Sequence, residues 1–437
     1  MKEAFFRLKC QIARKRVRFT LASLIDIEET DGATLQAINV KRRTKMVLHA
    51  FDTTDYYQET YRSAGFRRAD LAQPQNFSHL PLLTRADVRE NFKALVSSHF
   101  NPSTIGVAST GGSTGIPLQI GTDPRHALEV ISWRRLRYWG SSPGHNSGYI
   151  YRVIPSGLGA IARQLLFYPT RRSYLRATDM SEKNLAHFVT KIKKSRAIYL
   201  VAYVGALKIL ADYVVAHRIQ LPELKFIWST AAPLPVYLQK ELQAVFKVPV
   251  YSQYGSAEFY WIASERKDRK GLDVDWDIRN VEILDERGII LPHGNFGDIV
   301  VSDFLNKAFP LLRYQIGDRG RFLPQETPSG PGFPILDQVK GRSSETLQMR
   351  DGRRVPGEFW TTVFNACPDA VSGFSIHQRK DGSIIVGYNP TEKWSPEVER
   401  SIYKAIREVC ADTPFELKPE TSVTHDRGKL NYVTSAL

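Results

Sequence analysis

From about residue 148 to residue 336, short apolar runs alternate with helix-patterned segments, and this alternation constrains the fold more than any other feature of the chain. Residues 148–154 read as a strand, 185–194 as a helix, 197–201 as a strand and 205–217 as a helix. The pattern continues with a strand at 224–228, a helix at 234–246 and a strand at 250–252. Strands spaced by helix-length connections argue α/β layering with at least partly parallel sheets.

Around this block the pattern changes. Residues 1–50 look helical and basic, an arm ahead of the main body. Residues 51–100 read as short helices, with Thr84 as an N-cap signal, and 123–139 as a longer one. Residues 278–322 are richer in strand signal, with turns at Arg287-Gly288 and His293-Gly294-Asn295. A Pro/Gly-rich stretch at 324–334 follows. Residues 342–437 then read as a compact β/α domain with hairpins at Asp351-Gly352 and Asp381-Gly382 and helices near 356–366 and 395–410. With 437 residues, more than one core is expected. The division is a large N-terminal α/β domain (1–340) and a small mobile C-terminal β/α domain (342–437), meeting near Lys340-Gly341-Arg342.

An apolar content of 42% against 24% charged residues is that of an ordinary water-soluble globular chain. No apolar run approaches the roughly 20 residues needed to span a bilayer. The N-terminus lacks a signal-peptide pattern, so a cytoplasmic protein is expected. Cys10, Cys367 and Cys410 are too dispersed for a disulfide framework or a metal knuckle. The net charge of +15 fits nucleic acid, an anionic membrane surface or polyanionic small ligands. No nucleic-acid-binding motif surrounds the basic clusters at 14–18, 41–43, 134–137 and 171–172, and most of them are expected to be solvated faces.

Five segments carry chemistry. Ser109-Thr110-Gly111-Gly112-Ser113-Thr114-Gly115-Ile116-Pro117 packs three glycines and four hydroxyls ahead of a strand-like 118–120. Such backbone can wrap a polyphosphate, although a flexible surface loop has the same composition. It is not a Walker A loop, since Ile116-Pro117 follows Gly115. Tyr251-Ser252-Gln253-Tyr254-Gly255-Ser256-Ala257-Glu258 ends a strand in a glycine turn that delivers a carboxylate; Glu258 can hold Mg²⁺ against phosphates or serve as a helix N-terminal charge. Asp318, after Gly317, can accept both hydroxyls of a ribose or belong to a simple turn. Lys340-Gly341-Arg342-Ser343-Ser344-Glu345 reads alone as a polar linker, and Lys429 in Arg427-Gly428-Lys429 as a solvated charge.

Taken in order, these segments resemble the adenylate-forming ligase superfamily, closest to the phenylacetate–CoA ligase family, including relatives found with capsule and surface-polysaccharide genes. The resemblance runs over nearly the whole chain. Tyr56-Tyr57-Gln58-Glu59-Thr60-Tyr61-Arg62 and the following Leu80-Pro81-Leu82-Leu83-Thr84-Arg85 support the narrower match. It implies ATP-dependent activation of a small carboxylic acid as an acyl- or aryl-adenylate, with Mg²⁺, and then a thioester with CoA or a carrier protein. Thr110 to Gly115 would be the phosphate loop, with Ser109 at its edge. The turn holding Ala231, Ala232 and Pro233 would contact adenine, and Tyr254 and Gly255 would line adenine and the acyl group. Glu258 would be the Mg²⁺-associated glutamate, Asp318 the ribose carboxylate, Arg342 the post-hinge arginine and Lys429 the lysine that the small domain inserts for adenylation.

The chain departs from the pattern at Ile116, at Gly111, where many relatives have serine, and at Ser343-Ser344-Glu345, where relatives carry aspartates. No cysteine lies between Cys10 and Cys367, so the zinc cluster of some relatives is not expected. Walls of the acyl pocket are expected near 149–156, Tyr203 and Gln253-Tyr254. An amine or hydroxyl acceptor, transfer of AMP itself, and a non-catalytic nucleotide-binding descendant are the alternatives.

Overall fold

The structure, a computed structural model, describes residues 27, 30–110, 118–123, 129–265, 271–324, 332–337, 339, 346–356, 360, 363–364, 367, 370–419 and 433–435. Helices at Gly32–Thr53 and Asp55–Ser63 open the described chain. The first is capped by Asp31, whose carboxylate accepts from the Thr34 backbone N–H at 2.9 Å. Tyr57 and Tyr61 are buried. The Tyr57 hydroxyl donates to the Pro310 carbonyl at 3.1 Å and accepts from the Leu312 N–H at 2.9 Å, so this tyrosine-rich segment braces a loop 250 residues downstream.

Strands β1 (Gly106–Thr110) and β2 (Leu118–Thr122) pair antiparallel. The alternating block becomes β3 (Ser147–Tyr151), β4 (Arg172–Arg176), β5 (Tyr199–Tyr203), β6 (Phe226–Thr230) and β7 (Val250–Tyr254), joined by helices at Gly157–Phe167, Glu182–Ser195, Val204–Ala216 and Val236–Phe246. These five strands are parallel, as helical crossovers require. β8 (Ala263–Glu265) and β9 (Leu272–Val274) extend the sheet antiparallel. β10 (Arg279–Leu284), β11 (Gly297–Asp303) and β12 (Tyr314–Gly320) form a separate antiparallel sheet. With β13 (Ile335–Leu336), the large sheet runs β13-β9-β8-β7-β6-β5-β3-β4. The expected alternation is observed with small boundary shifts. The helix Gly157–Phe167 and strand β4 were not among the sequence expectations.

Tyr199, Leu200, Val201 and Ala202 of β5 are all buried, the continuous apolar run of a strand covered on both faces. Gly148 of β3 permits close cover: a Cβ there would lie 2.6 Å from Leu200 Cδ2 and 3.0 Å from Ile192 and Phe188. The strand order reverses between β3 and β5, because β4 lies on one side of β3 and β5 on the other. In open α/β sheets such a reversal leaves a crevice at the carboxyl ends of the strands.

Beyond residue 345, β14 (Thr346–Gln348) and β15 (Arg354–Pro356) form one hairpin, and β16 (Val371–Gln378) and β17 (Ile384–Pro390) another. Their turns carry Gly352 and Gly382 at φ near +81°, where glycine is unstrained. β18 (Phe415–Pro419) and β19 (Val433–Ser435) complete a sheet ordered β18-β17-β16-β19, backed by the amphipathic helix Pro396–Cys410. Buried Leu347, Val355 and Trp360 share one apolar cluster with Leu207 and Leu210 of the helix Val204–Ala216. The Arg353 guanidinium donates to the Thr178 carbonyl at 3.2 Å from the same side. The expected hinge at 340–342 and the basic cluster at 14–18 lie outside the described residues. Among the described residues, no helix is long and apolar enough to cross a membrane.

The basic clusters correct one expectation. Arg134 and Arg135 are not a solvated face but are buried against three carboxylates. Arg134 pairs with Asp277 at 3.0 Å and with Asp275, and Arg135 pairs with Asp275 at 2.7 Å and Asp273 at 3.6 Å. Burial alone would lower the Arg134 pKa, but Asp275 and Asp277 outweigh it and raise it. Arg172 sits 3.5 Å above the Phe167 ring, and Arg42 donates to the Asp277 carbonyl at 2.8 Å. The signal for the first group was present in Asp273-Val274-Asp275-Trp276-Asp277, whose alternation aims three carboxylates to one side.

Candidate active site

Four neighbouring parallel strands end in Tyr151, Tyr203, Thr230 and Tyr254, at the carboxyl edge where the strand order reverses. The Tyr151 and Tyr203 rings lie 5.5 Å apart. Burial, followed by the neighbouring Tyr260, Tyr149 and Tyr203, holds the Tyr151 phenol well above its usual pKa, so it is a neutral hydroxyl in an aromatic wall. Two of the expected acyl-pocket residues therefore meet at the switch point.

Immediately after β6, Ala231 adopts φ +73°. For a residue with a Cβ this is a strained, sparsely populated conformation. The turn turns the chain sharply at 231–233 before the helix Val236–Phe246. Beside it, Gln253 ties the two strand ends together. Its amide accepts from the Thr230 hydroxyl and donates to the Tyr260 carbonyl at 3.0 Å. Gly255 follows β7 against the Tyr260 backbone, where any Cβ would lie 2.2 Å from the Tyr260 carbonyl oxygen. Only glycine fits that approach. Tyr260 itself has φ +61° and an exposed ring, and its place at this mouth was not read from the sequence.

Two carboxylates reach the same edge from different elements. Tyr254 donates its phenolic proton to Asp318 Oδ2 at 2.9 Å, linking the end of β7 to β12. The register explains the aim of Asp318. Asp298 of β11 pairs with Arg319 and Val300 with Gln315, so Ile299 alone faces residues 316–318. This bulge, with Gly317 at φ +84°, turns Asp318 out of the ladder. Glu258 lies on the turn after β7 and is nearly buried. Its Oε1 accepts from the Tyr314 hydroxyl at 3.2 Å and lies 3.6 Å from Arg85 Nη1. Burial first, and the Glu258 charge second, raise the Tyr314 pKa and keep it a donor.

Arg85 and Tyr314 are the partners that sequence reasoning passed over. Arg85 opens the helix Arg85–Glu90, whose capping box joins the Thr84 hydroxyl to the Asp87 backbone N–H at 3.1 Å and the Asp87 carboxylate to the Thr84 N–H at 2.7 Å. Leu83, one residue before that cap, bridges in parallel to Tyr314, with Leu83 N–H donating to the Arg313 carbonyl at 3.0 Å. Thus the Leu-Pro-Leu-Leu-Thr-Arg segment docks on β12 and carries Arg85 to Glu258.

Of the remaining expected residues, Ser109 and Thr110 end β1, paired with Gln119 and Leu118 of β2. Gly111, Gly112, Ser113, Thr114, Gly115, Arg342 and Lys429 lie outside the described residues. Among the described residues, no group of three or more His, Cys, Asp or Glu side chains could hold a metal by itself.

The fold is that of the adenylate-forming ligases. It matches a 2-hydroxyisobutyryl-CoA ligase, crystallised with 2-HIB-AMP and CoA in the thioesterification state, at a TM-score of 0.66 and 17% identity over 93% of this chain and 91% of that one. In sequence the chain is similar to a phenylacetate–coenzyme A ligase of Aromatoleum evansii, at 23% identity over 401 residues, covering 87% of this chain and 88% of the relative. It is also similar to Protein CapK of Staphylococcus aureus, at 25% over 324 residues, covering 71% and 69%. No protein-family model matches the chain.

Proposed function

We propose that the protein activates a carboxylic acid with ATP, forming an acyl- or aryl-adenylate and pyrophosphate, and then passes the acyl group to the thiol of CoA. The observation that carries this reading is the Tyr254–Asp318 hydrogen bond of 2.9 Å, which joins two motifs 64 residues apart at the strand ends where a nucleotide would lie. The similarity to phenylacetate–coenzyme A ligases over most of both chains supports the same chemistry.

Attack of a carboxylate on the α-phosphate brings anions together, so the protein's task is positioning and charge neutralisation. In this reading Asp318 accepts the ribose hydroxyls, and Tyr254 holds its carboxylate in place. The turn at Ala231, Ala232 and Pro233, together with Tyr254 and Gly255, frames the adenine. Tyr151 and Tyr203 wall the acyl group. Residues 109–115 take the β- and γ-phosphates through backbone N–H groups and hydroxyls, and Lys429 brings a cation to the reacting phosphate. Arg342 reaches the nucleotide from the second domain (342–437), which moves between the two half-reactions about the 340–342 hinge.

The donor set fits Mg²⁺: one carboxylate, Glu258, which meets Tyr314 and Arg85 through Oε1, suits an ion held mostly by phosphate oxygens. When bound, Mg²⁺ would neutralise charge on the transferred phosphate. Glu258 holds its carboxylate oriented through Tyr314 and Arg85.

Carboxylate-dependent pyrophosphate release, measured over a panel of aromatic, hydroxy and amino acids with and without CoA, tests the reading. Thioester formation with at least one acid is expected. No release with any acid would overturn it.

A further inference from the structure

Between β7 and β8 the chain turns through residues 255–262, and this turn carries both Glu258 and Tyr260. Tyr260 is at φ +61°, a conformation that persists in a residue with a Cβ only where its surroundings over-determine it. Here the surroundings are side chains. Three consecutive carbonyls each accept from one: Phe259 from Arg279 Nη2 at 2.7 Å, Tyr260 from the Gln253 amide at 3.0 Å and Trp261 from Arg279 Nε at 3.1 Å. The Tyr260 N–H closes the turn on the Ser256 carbonyl at 2.6 Å, and the Ile262 N–H returns it to the Tyr254 carbonyl at 3.0 Å. Arg279 thus grips the backbone on either side of the strained residue, beginning one position beyond Glu258.

Arg279 is itself fixed. It opens β10 directly opposite Asp303, the last residue of β11. Its Nη1 donates to the Asp303 carboxylate and to the Ile278 carbonyl at 2.9 Å, so all three guanidinium nitrogens are engaged. Asp303 Oδ1 also accepts from the Leu305 N–H at 2.7 Å, which ties the carboxylate to its own strand end. Arg279, Phe259 and Trp261 are all buried. A guanidinium is a rigid planar fork whose donors leave in set directions. A lysine ammonium, one point charge on a flexible stem, does not reproduce that spread.

We infer that Arg279 is a positioning residue for the reaction: by pinning the turn between β7 and β8 it sets where Glu258 meets the nucleotide phosphates. This role rests on the proposed ligase activity. Arg279 is fully buried, so it touches no substrate and acts through the turn alone. Its bonds to Phe259 and Trp261 fix the backbone that follows Glu258, while Tyr314 and Arg85 orient the carboxylate itself. Misplacing a reacting group by about 1 Å costs up to about 10²-fold in rate, so a small shift of this turn is enough to matter.

Hydrogen–deuterium exchange of the full chain and steady-state pyrophosphate release, measured on the same preparations, test it. Arg279→Lys keeps a charge beside Asp303 but loses the fork. It should speed exchange of the Tyr260, Trp261 and Ile262 amides by about tenfold or more. It should also lower kcat between about tenfold and 10²-fold and raise the Mg²⁺ needed for half-maximal release, with the KM for CoA unchanged. Ile192→Ala leaves a cavity in the helix Glu182–Ser195, which packs on β3 and β4, and serves as the control for lost stability. It should leave turn exchange and kcat close to the parent values. Should Arg279→Lys fail to fold, Asp303→Asn, which keeps the side-chain shape, should give the same changes at smaller size. Unchanged exchange in the turn, faster exchange with unchanged kcat, or equal losses in the control would overturn the role of Arg279 alone. A parent that releases no pyrophosphate with any acid fails before any substitution, and overturns the ligase reading together with this role.

Discussion

The Tyr254 hydroxyl donates to Asp318 Oδ2 at 2.9 Å, and this one bond joins the carboxyl edge of the eight-stranded sheet to the three-stranded sheet beside it. Each residue is set by its own element. Tyr254 ends β7 just before Gly255, and Asp318 is turned outward by the bulge opposite Ile299. Both residues are partly exposed, so the bond acts on the shape of the site more than on the stability of the fold.

Tyr254→Phe should therefore leave the fold intact and loosen Asp318. A hydrogen bond to a charged group contributes about 1.5 kcal/mol, or roughly tenfold in binding. The KM for ATP in pyrophosphate release is expected to rise about tenfold on that basis, with kcat changed less. An unchanged KM would sink the assignment of Asp318 to the nucleotide.

Glu258 separates charge from shape more sharply. Glu258→Gln keeps the side-chain volume and the contact with Tyr314 but removes the charge that faces Arg85. In the proposed site Glu258 acts through the Mg²⁺ it would hold, and loss of that charge stabilisation is expected to cost about 10²–10³ in kcat. Tyr314→Phe removes only the bond that orients Glu258, so a loss nearer tenfold is expected. Both variants should keep their circular dichroism spectrum. Equal losses in the two would mean that Tyr314 acts on the reaction directly.

Much of this was legible in the sequence, for physical reasons that differ by element. The strands and helices between 147 and 254 announce themselves because β5 is covered on both faces and the helices on one, so apolar content tracks geometry. Thr84 and Asp87 announce a helix start because the capping box is local. Partnership over long separations leaves no such trace. Arg85 and Glu258 are 173 residues apart in number, and nothing in either segment names the other. The helix Gly157–Phe167 escaped notice for the opposite reason: its apolar residues point away from the sheet, against the rule used to find helices.

Arg134 shows what the misread basic cluster does for stability. Its guanidinium is fully buried between Asp275 and Asp277. Removing one partner from a buried ion pair strands the other charges and costs about 3–5 kcal/mol. Arg134→Ala should lower the unfolding free energy by that amount and shift the denaturation midpoint accordingly, while Arg137→Ala, an exposed neighbour, should change it by less than about 0.5 kcal/mol. Similar midpoints for the two variants would mean that Asp275 and Asp277 take up protons or water at little cost.

Lys429 carries the sharpest test of the proposed chemistry, because its role is confined to one half-reaction. The proposed phosphate loop at 109–115 offers backbone and hydroxyls but no lysine, since Ile116-Pro117 follows its last glycine. In the proposed site the side-chain cation that meets charge growing on the α-phosphate comes from another segment, and Lys429 is proposed for that part. Its loss should lower pyrophosphate release about 10²–10³-fold. In the second half-reaction the thiol attacks the acyl carbonyl rather than phosphorus and AMP leaves with the electron pair; in the proposed cycle the second domain has then moved and taken Lys429 away from the site. Lys429→Ala supplied with synthetic acyl-adenylate and CoA should form thioester at close to the parent rate. If both half-reactions fall together, the lysine supports the fold of its domain; if neither falls, another cation serves the phosphate.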